Sequence, residues 1–162
     1  MPGPAEGSRC TVSRYATSIS TPLSVDDAFA YMADVTSFKQ WDPSIIHSKQ
    51  VEGAGPGLGA AYDLTIQTTG SVTMRYRTTE FDAPRRMVIT AKTALLTSCD
   101  EVRVSPAKDG SVVSYDAKLT LNGPLGLFDP LLQLAFNRIG GRAADGLRRV
   151  LRGVTLKKGR SP

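Results

Sequence analysis

An aspartate stands on a strand face that otherwise reads as apolar. In the segment from Leu95 to Val104, Asp100 shares parity with Val102 and Val104, so alternation places it with the inward-facing set. Antiparallel pairing across the turn Lys108-Asp109-Gly110 brings Tyr115 and Ala117 of the following segment beside it. A carboxyl group in an apolar wall is costly to ionise and holds its proton to higher pH than in water. Asp100 and Tyr115 are therefore the catalytic candidates, either as a general acid/base pair or as groups that orient a ligand oxygen. The competing reading is that a bulge turns Asp100 outward or that it sits at the sheet rim.

Other chemistry is poorly supplied. His47 is the only histidine, and the two cysteines, Cys10 and Cys99, lack a CxxC spacing. No metal site, no cofactor and no histidine-based triad is expected. Asp26 and Asp27 read as helix-start charges rather than a carboxylate dyad. Arg75 and Arg77 fall on the outer face with Asp63, and Arg85 and Arg86 come after a turn where solvation is expected.

The run Gly53-Ala54-Gly55-Pro56-Gly57-Leu58-Gly59 resembles a phosphate cradle at first sight. A phosphate loop needs a helix N-terminus after it. The next residues are instead Ala60-Ala61-Tyr62-Asp63-Leu64-Thr65-Ile66-Gln67, which alternate as a strand. A flexible flap formed by Gly53, Gly55, Gly57 and Gly59, close after the only tryptophan, Trp41, is expected to gate the entrance of a pocket.

Periodicity supplies the elements that position these residues. Thr11 to Thr21 reads as a first strand. Ser24 is the expected N-cap of a helix with Val25, Ala28, Phe29 and Met32 on its apolar stripe, and a second short helix reaches Trp41 before Asp42-Pro43 stops it. Six further strands come next, the clearest carrying Val113, Tyr115, Ala117, Leu119 and Leu121 on one face. Asp129-Pro130 opens a long amphipathic helix whose stripe runs Leu132, Phe136, Ile139, Ala143, Leu147, Val150 and Val154. Gly140-Gly141 and Gly146 are expected to bend it or let it pack closely. Strands joined by short turns imply an antiparallel sheet, and only the last helix is long enough to cover its apolar face.

The chain has 162 residues and a formal net charge of +5, consistent with one domain and a substantial core. The basic residues crowd the end: Arg138, Arg142, Arg148, Arg149, Arg152, Lys157, Lys158 and Arg160. They read as a solvated helix face and tail, with weak contact to an anionic membrane surface as the sharper alternative. Nucleic acid is not expected, because no aromatic platform accompanies them. No apolar run reaches the ~20 residues of a membrane span. Residues 1–9 read as a disordered tail, 10–154 as the domain and 155–162 as a basic tail; a cytoplasmic monomer or homodimer is expected.

This order resembles the START-like, or SRPBCC, helix-grip superfamily, with the bacterial polyketide cyclase/dehydrase-type proteins as the most similar subgroup. The carriers are Thr21 to Asp34, Trp41-Asp42-Pro43, the glycine flap, Glu80 to Arg86 and the helix end Gly146 to Leu151. The flap is similar to the glycine-rich loop of plant pathogenesis-related allergens. The resemblance implies an α+β fold: a curved antiparallel seven-stranded sheet around a long C-terminal helix, with two short helices between strands 1 and 2. It also implies a cavity for a hydrophobic small molecule, such as a lipid or polyketide. Trp41, Tyr62, Ile66, Met74, Tyr76, Asp100, Tyr115, Phe128, Leu132 and Phe136 are the expected ligand contacts. Three functions compete: apolar ligand binding, polyketide cyclase/dehydratase-type catalysis, and a membrane-surface or protein-interaction module.

Overall fold

The computed structural model describes residues 12–67, 69–122, 129–152 and 154–155. Strand β1 (Val12–Thr21) leads into α1 (Val25–Ala33), which Ser24 caps by accepting the Asp27 N–H at 3.1 Å. Ala28, Phe29, Met32 and Ala33 form its buried stripe. A 3-10 turn (Val35–Ser37) is capped by Asp34, which accepts the Thr36 N–H. One helical turn, α2 (Phe38–Trp41), then ends at Asp42. Strands β2 (Ile45–Glu52), β3 (Ala61–Gln67), β4 (Ser71–Asp82), β5 (Arg86–Lys92), β6 (Leu96–Ala107) and β7 (Gly110–Leu121) precede α3 (Asp129–Val150) and β8 (Val154–Thr155).

The seven expected antiparallel strands are present, in one sheet of order β2-β3-β4-β5-β6-β7-β1-β8. The eighth, β8, adds two residues to the free side of β1, pairing Ile19 with Thr155 and Ser20 with Val154. Two residues are too few for alternation to reveal. The expected helical stripe thus ends one turn early: Val154 belongs to β8, because Arg152 adopts φ 51° and the Thr21 hydroxyl captures the Leu151 carbonyl at 2.6 Å.

Register shifts at Ile45/His47 and Gln50/Glu52 on β2, and at Thr78/Glu80 on β4, bend the sheet toward α3. The concave face carries the core. Ile19, Met32, Val35, Phe38, Met87, Ile89, Val102, Val113, Leu147 and Leu151 are almost fully buried there. The convex face is held by cross-strand ion pairs: Arg75 with Asp63, Arg77 with Glu52, and Arg14 with Asp116. Arg86, expected to be solvated, instead bridges Glu80 and Glu101, and Arg103 adds a second donor to Glu101.

Two glycines let α3 settle onto its neighbours. A Cβ on Gly146 would stand 1.8 Å from the Trp41 carbonyl oxygen, so the helix backbone rests directly on α2. A Cβ on Gly140 would stand 2.3 Å from the ring of Tyr15 on β1. The expected close packing is present, but one of its two partners is the short helix rather than the sheet.

Candidate functional site

The inner face of the sheet runs from a filled end to a hollow one. On β6, Val104 and Val102 are followed by Asp100, Ser98 and Leu96; on β7, Val113 is followed by Tyr115, Ala117, Leu119 and Leu121. The valines lie under α1 and the end of α3. Beyond Asp100 and Tyr115, a cavity of about 270 Å³ opens between sheet and helix. Leu64 and Ile66 of β3, with Val72, Met74 and Tyr76 of β4, form one wall, and Leu96, Ala117, Leu119 and Leu121 form the floor. Ala135, Phe136, Ile139, Gly140 and Ala143 of α3 form the roof. Small residues at 135, 140 and 143 keep the helix from filling the space. The volume is near the lower end of ordinary small-molecule pockets, about 300–1,000 Å³.

A polar patch closes the inner end of this apolar space. The Tyr115 hydroxyl donates to Asp100 Oδ2 at 2.8 Å, and the Ser98 hydroxyl donates to Asp100 Oδ1 at 3.3 Å. Tyr76 in turn bonds the Ser98 hydroxyl at 3.0 Å. Register explains the cluster: Asp100 lies opposite Ala117, Val102 opposite Tyr115, and Ser98 is the next inward position on β6. The Tyr115 ring is held from behind by Trp41 and Phe38, with centroids at 5.3 and 6.3 Å. Asp42, just past α2, reaches the cavity from the side, its Oδ1 accepting the Ser44 N–H and hydroxyl at 2.8 and 2.6 Å.

Burial dominates the electrostatics. Loss of water pushes the Asp100 carboxyl up to about 7; the bonds from Tyr115 and Ser98 oppose this, and the charge of Asp42 adds to it. Asp42 is raised as well, by burial, against the pull of its Ser44 bonds. Burial and the neighbouring Asp100 charge hold the Tyr115 phenol well above its ordinary value. Tyr76 moves the same way for the same reasons. Near neutral pH, Asp100 can therefore take or release a proton inside an apolar space, while both tyrosines keep theirs.

Six of the expected contacts line the cavity: Ile66, Met74, Tyr76, Asp100, Tyr115 and Phe136. Two do not. Trp41 is 1% exposed and packs behind Tyr115, and Tyr62 is fully buried one inward position before Leu64, with no hydrogen-bond partner for its hydroxyl among the described residues. Both are core residues, Trp41 under the contact of α2 with α3 at Gly146 and Tyr62 within the buried inner face of β3. Phe128 and the Leu132 side chain lie outside the described residues. His47 is exposed on β2.

The flap occupies a different place from the one expected. Gly53, Gly55, Gly57 and Gly59 ring a separate surface hollow at the β2–β3 connection, beside the Ala61↔Arg77 pair, whereas the cavity lies toward the Ile66↔Val72 end of the same strands. The segment is also tied down. Gly59 N–H bonds the Thr78 carbonyl, Gln50 bonds the Gly55 carbonyl and Arg77 bonds the Gly59 carbonyl, all within 2.9 Å. None of its residues lines the cavity.

Sequence reasoning missed Asp42, Ser44, Ser98, Leu119, Leu121, Gly140 and Ala143 as cavity residues. Parity from Asp100 and Tyr115 could have found Ser98, Leu119 and Leu121. Asp42 reads as a helix stop, and its inward reach depends on where α2 lands.

Comparison with known proteins agrees with this fold. The model of the family described as polyketide cyclase / dehydrase and lipid transport matches residues 13–152. No curated protein matches the chain. Among solved structures, the di-domain ARO/CYC StfQ from the steffimycin biosynthetic pathway superposes with a TM-score of 0.67 at 16% identity, covering 89% of this chain and 52% of that one. This chain thus spans about half of that di-domain protein. A START superfamily protein from Mycobacterium smegmatis gives 0.67 at 11% identity, with 87% and 97% coverage. Ara h 8.0201 gives 0.61 at 18% identity, with 87% and 99% coverage. At these identities the structural likeness establishes the shared fold.

Proposed function

We infer, from the premise that this chain belongs to the polyketide cyclase / dehydrase and lipid transport family, that it binds a hydrophobic small molecule between the sheet and α3. One observation carries the reading: the space is walled by aliphatic and aromatic side chains and ends in one hydrogen-bonded polar patch. Apolar walls supply affinity through buried area, and a few convergent polar atoms set orientation. A naphthalene-sized probe such as naphthylmethanol suits the volume. Ala143→Phe, projecting from α3 into the cavity, should abolish binding of naphthylmethanol, monitored by its fluorescence, while the fold persists by circular dichroism. Binding of equal strength by a folded Ala143→Phe protein would place the ligand elsewhere.

A second reading is supported by Asp100. A carboxyl that titrates near neutrality beside Tyr115 can shuttle a proton to a ketone or enol held in the cavity, as a polyketide cyclase or dehydratase requires. On that reading Asp100→Asn slows conversion of a poly-β-ketone thioester by about 10²-fold or more. Equal conversion by wild type and Asp100→Asn would remove Asp100 from any chemistry. The alternative of a membrane-surface module rests on the basic residues of α3 and its end, Arg138, Arg142, Arg148, Arg149 and Arg152, and on Lys157, Lys158 and Arg160 of the tail, which lie outside the described residues.

A further inference from the structure

The polar end of the cavity is unusual in what it can still offer a ligand. Two carboxyl groups line the cavity, and no lysine, arginine or histidine does so among the described residues. The nearest basic side chains in sequence point away: Arg14 pairs with Asp116 on the convex face, and Lys118, Arg138 and Arg142 are exposed. Four of the five cavity hydroxyls, those of Tyr115, Ser98, Tyr76 and Ser44, already donate their protons. Tyr115 and Ser98 donate to Asp100, Tyr76 is bonded to Ser98, and Ser44 donates both its N–H and its hydroxyl to Asp42. The hydroxyl of Tyr15, whose ring lies on Gly140, is influenced by Asp145 rather than by either cavity carboxyl. What remains unfilled is acceptor capacity, on Asp42 Oδ2 and on the phenol oxygens.

A carboxylate ligand entering this space would meet two acidic groups, no cation and few free donors, and would lose its hydration without replacement. A neutral alcohol or ketone would meet neutral dipoles and one exchangeable acid. A protonated amine would place its N–H donors against oxygens that lack partners. It would also relieve the mutual repulsion of Asp42 and Asp100 and form charge-assisted bonds in a dry site. The tyrosine rings at the same end offer additional faces for a cation.

Building on the binding reading above, we propose that the cavity selects an apolar molecule carrying a cationic, hydrogen-bond-donating amine head, seated between Asp42 and Asp100, and rejects apolar carboxylates such as free fatty acids. Naphthylmethylamine, naphthylmethanol and naphthoic acid share one apolar body and differ in the head, so they separate the two readings. Measured by calorimetry on the full chain, affinity should fall from amine to alcohol to acid, with the amine about tenfold or more tighter than the acid. Asp42→Asn and Asp100→Asn should each weaken the amine more than the alcohol or the acid, and so shrink that ratio. Backbone amide shifts at Ile66, Leu119 and Ala143 should report occupancy of the cavity by the amine, independently of either variant's stability. Equal affinity for all three, or tighter binding of the acid, overturns the head-group selectivity and leaves apolar binding standing. No binding of any of the three overturns the binding reading and the selectivity with it.

Discussion

One helix and one sheet enclose a solid core at one end and a hollow at the other. At the solid end α3 lays Gly146 on the Trp41 carbonyl, and Leu147 and Leu151 pack with α1 over Val102, Val104 and Val113. At the hollow end the same helix presents Ala135, Gly140 and Ala143, and nothing among the described residues fills the space above Leu119 and Leu121. Asp100 and Tyr115 mark the boundary. Stability and binding are thus divided along the helix: Leu147, Leu151 and the Gly146 backbone contact fix its C-terminal end, and Ala135, Gly140 and Ala143 before them leave room for a guest. A helix anchored at one end can keep a cavity open that hydrophobic collapse would otherwise close.

Adding the same methyl group at both ends tests this division most severely. Gly146→Ala forces a Cβ into the Trp41 carbonyl, where backbone meets backbone and neither can yield. It should cost about 3 kcal/mol or more, or prevent folding. Gly140→Ala sets its Cβ 2.3 Å from the root of the Tyr15 ring, so that side chain must shift, though no backbone stands in the way. Its cost should be about 1–3 kcal/mol, below that at Gly146. Urea unfolding of both variants decides: similar costs would mean that α3 is packed alike at Gly140 and at Gly146.

Protonation probes the boundary itself. The folded pKa of Asp100 is raised, to about 7 from 3.8, so the native state keeps a proton that the unfolded chain releases. Between about pH 4 and 7 the native state therefore binds more protons, and stability falls as pH rises through that window. Asp42 contributes in the same direction. Glu52, Asp63 and Glu101 are lowered by their arginine partners, so their contribution is lost only in more acidic solution. Asp100→Asn should therefore flatten most of the fall between about pH 4 and 7 and raise stability at neutral pH. An unchanged slope in unfolding experiments across that window would show that Asp100 is not held in a dry wall.

The smallest effect belongs to the convex face. Asp63→Asn breaks the pair with Arg75, whose side chain is 55% exposed. Exposed pairs contribute about 0–1 kcal/mol, so the melting midpoint should scarcely move and the probe affinities should stay the same. A large loss would mean that the outer face shapes the cavity.

Periodicity made most of this fold legible. The alternation of Val113, Tyr115, Ala117, Leu119 and Leu121 named a half-buried strand, and parity put Asp100 on the inner face beside Tyr115, where the structure has it. Ser24 and Asp26-Asp27 announced α1. What could not be read was depth. Trp41 and Tyr62 face inward as expected, yet whether an inward side chain meets another side chain or open space depends on where α3 touches. That is set by Gly146 against a carbonyl, a contact no local pattern encodes. The separation of the flap from the cavity was hidden for a related reason. Glycine content reports conformational freedom, but position along the strand decides which end of the sheet the loop serves, and Gly59 and Gly55 are pinned by Thr78 and Gln50.

If binding and stability are divided in this way, an apolar guest enters the hollow end and nowhere else. Amide chemical-shift mapping of the full chain during titration with naphthylmethylamine examines that point without intermediaries. Ile66, Met74, Leu119 and Ala143 should shift together and saturate, while Val113, Leu147 and the flap from Gly53 to Gly59 stay still. Saturable shifts confined to the flap or to the Leu147 end, with Leu119 and Ala143 unmoved, would contradict it.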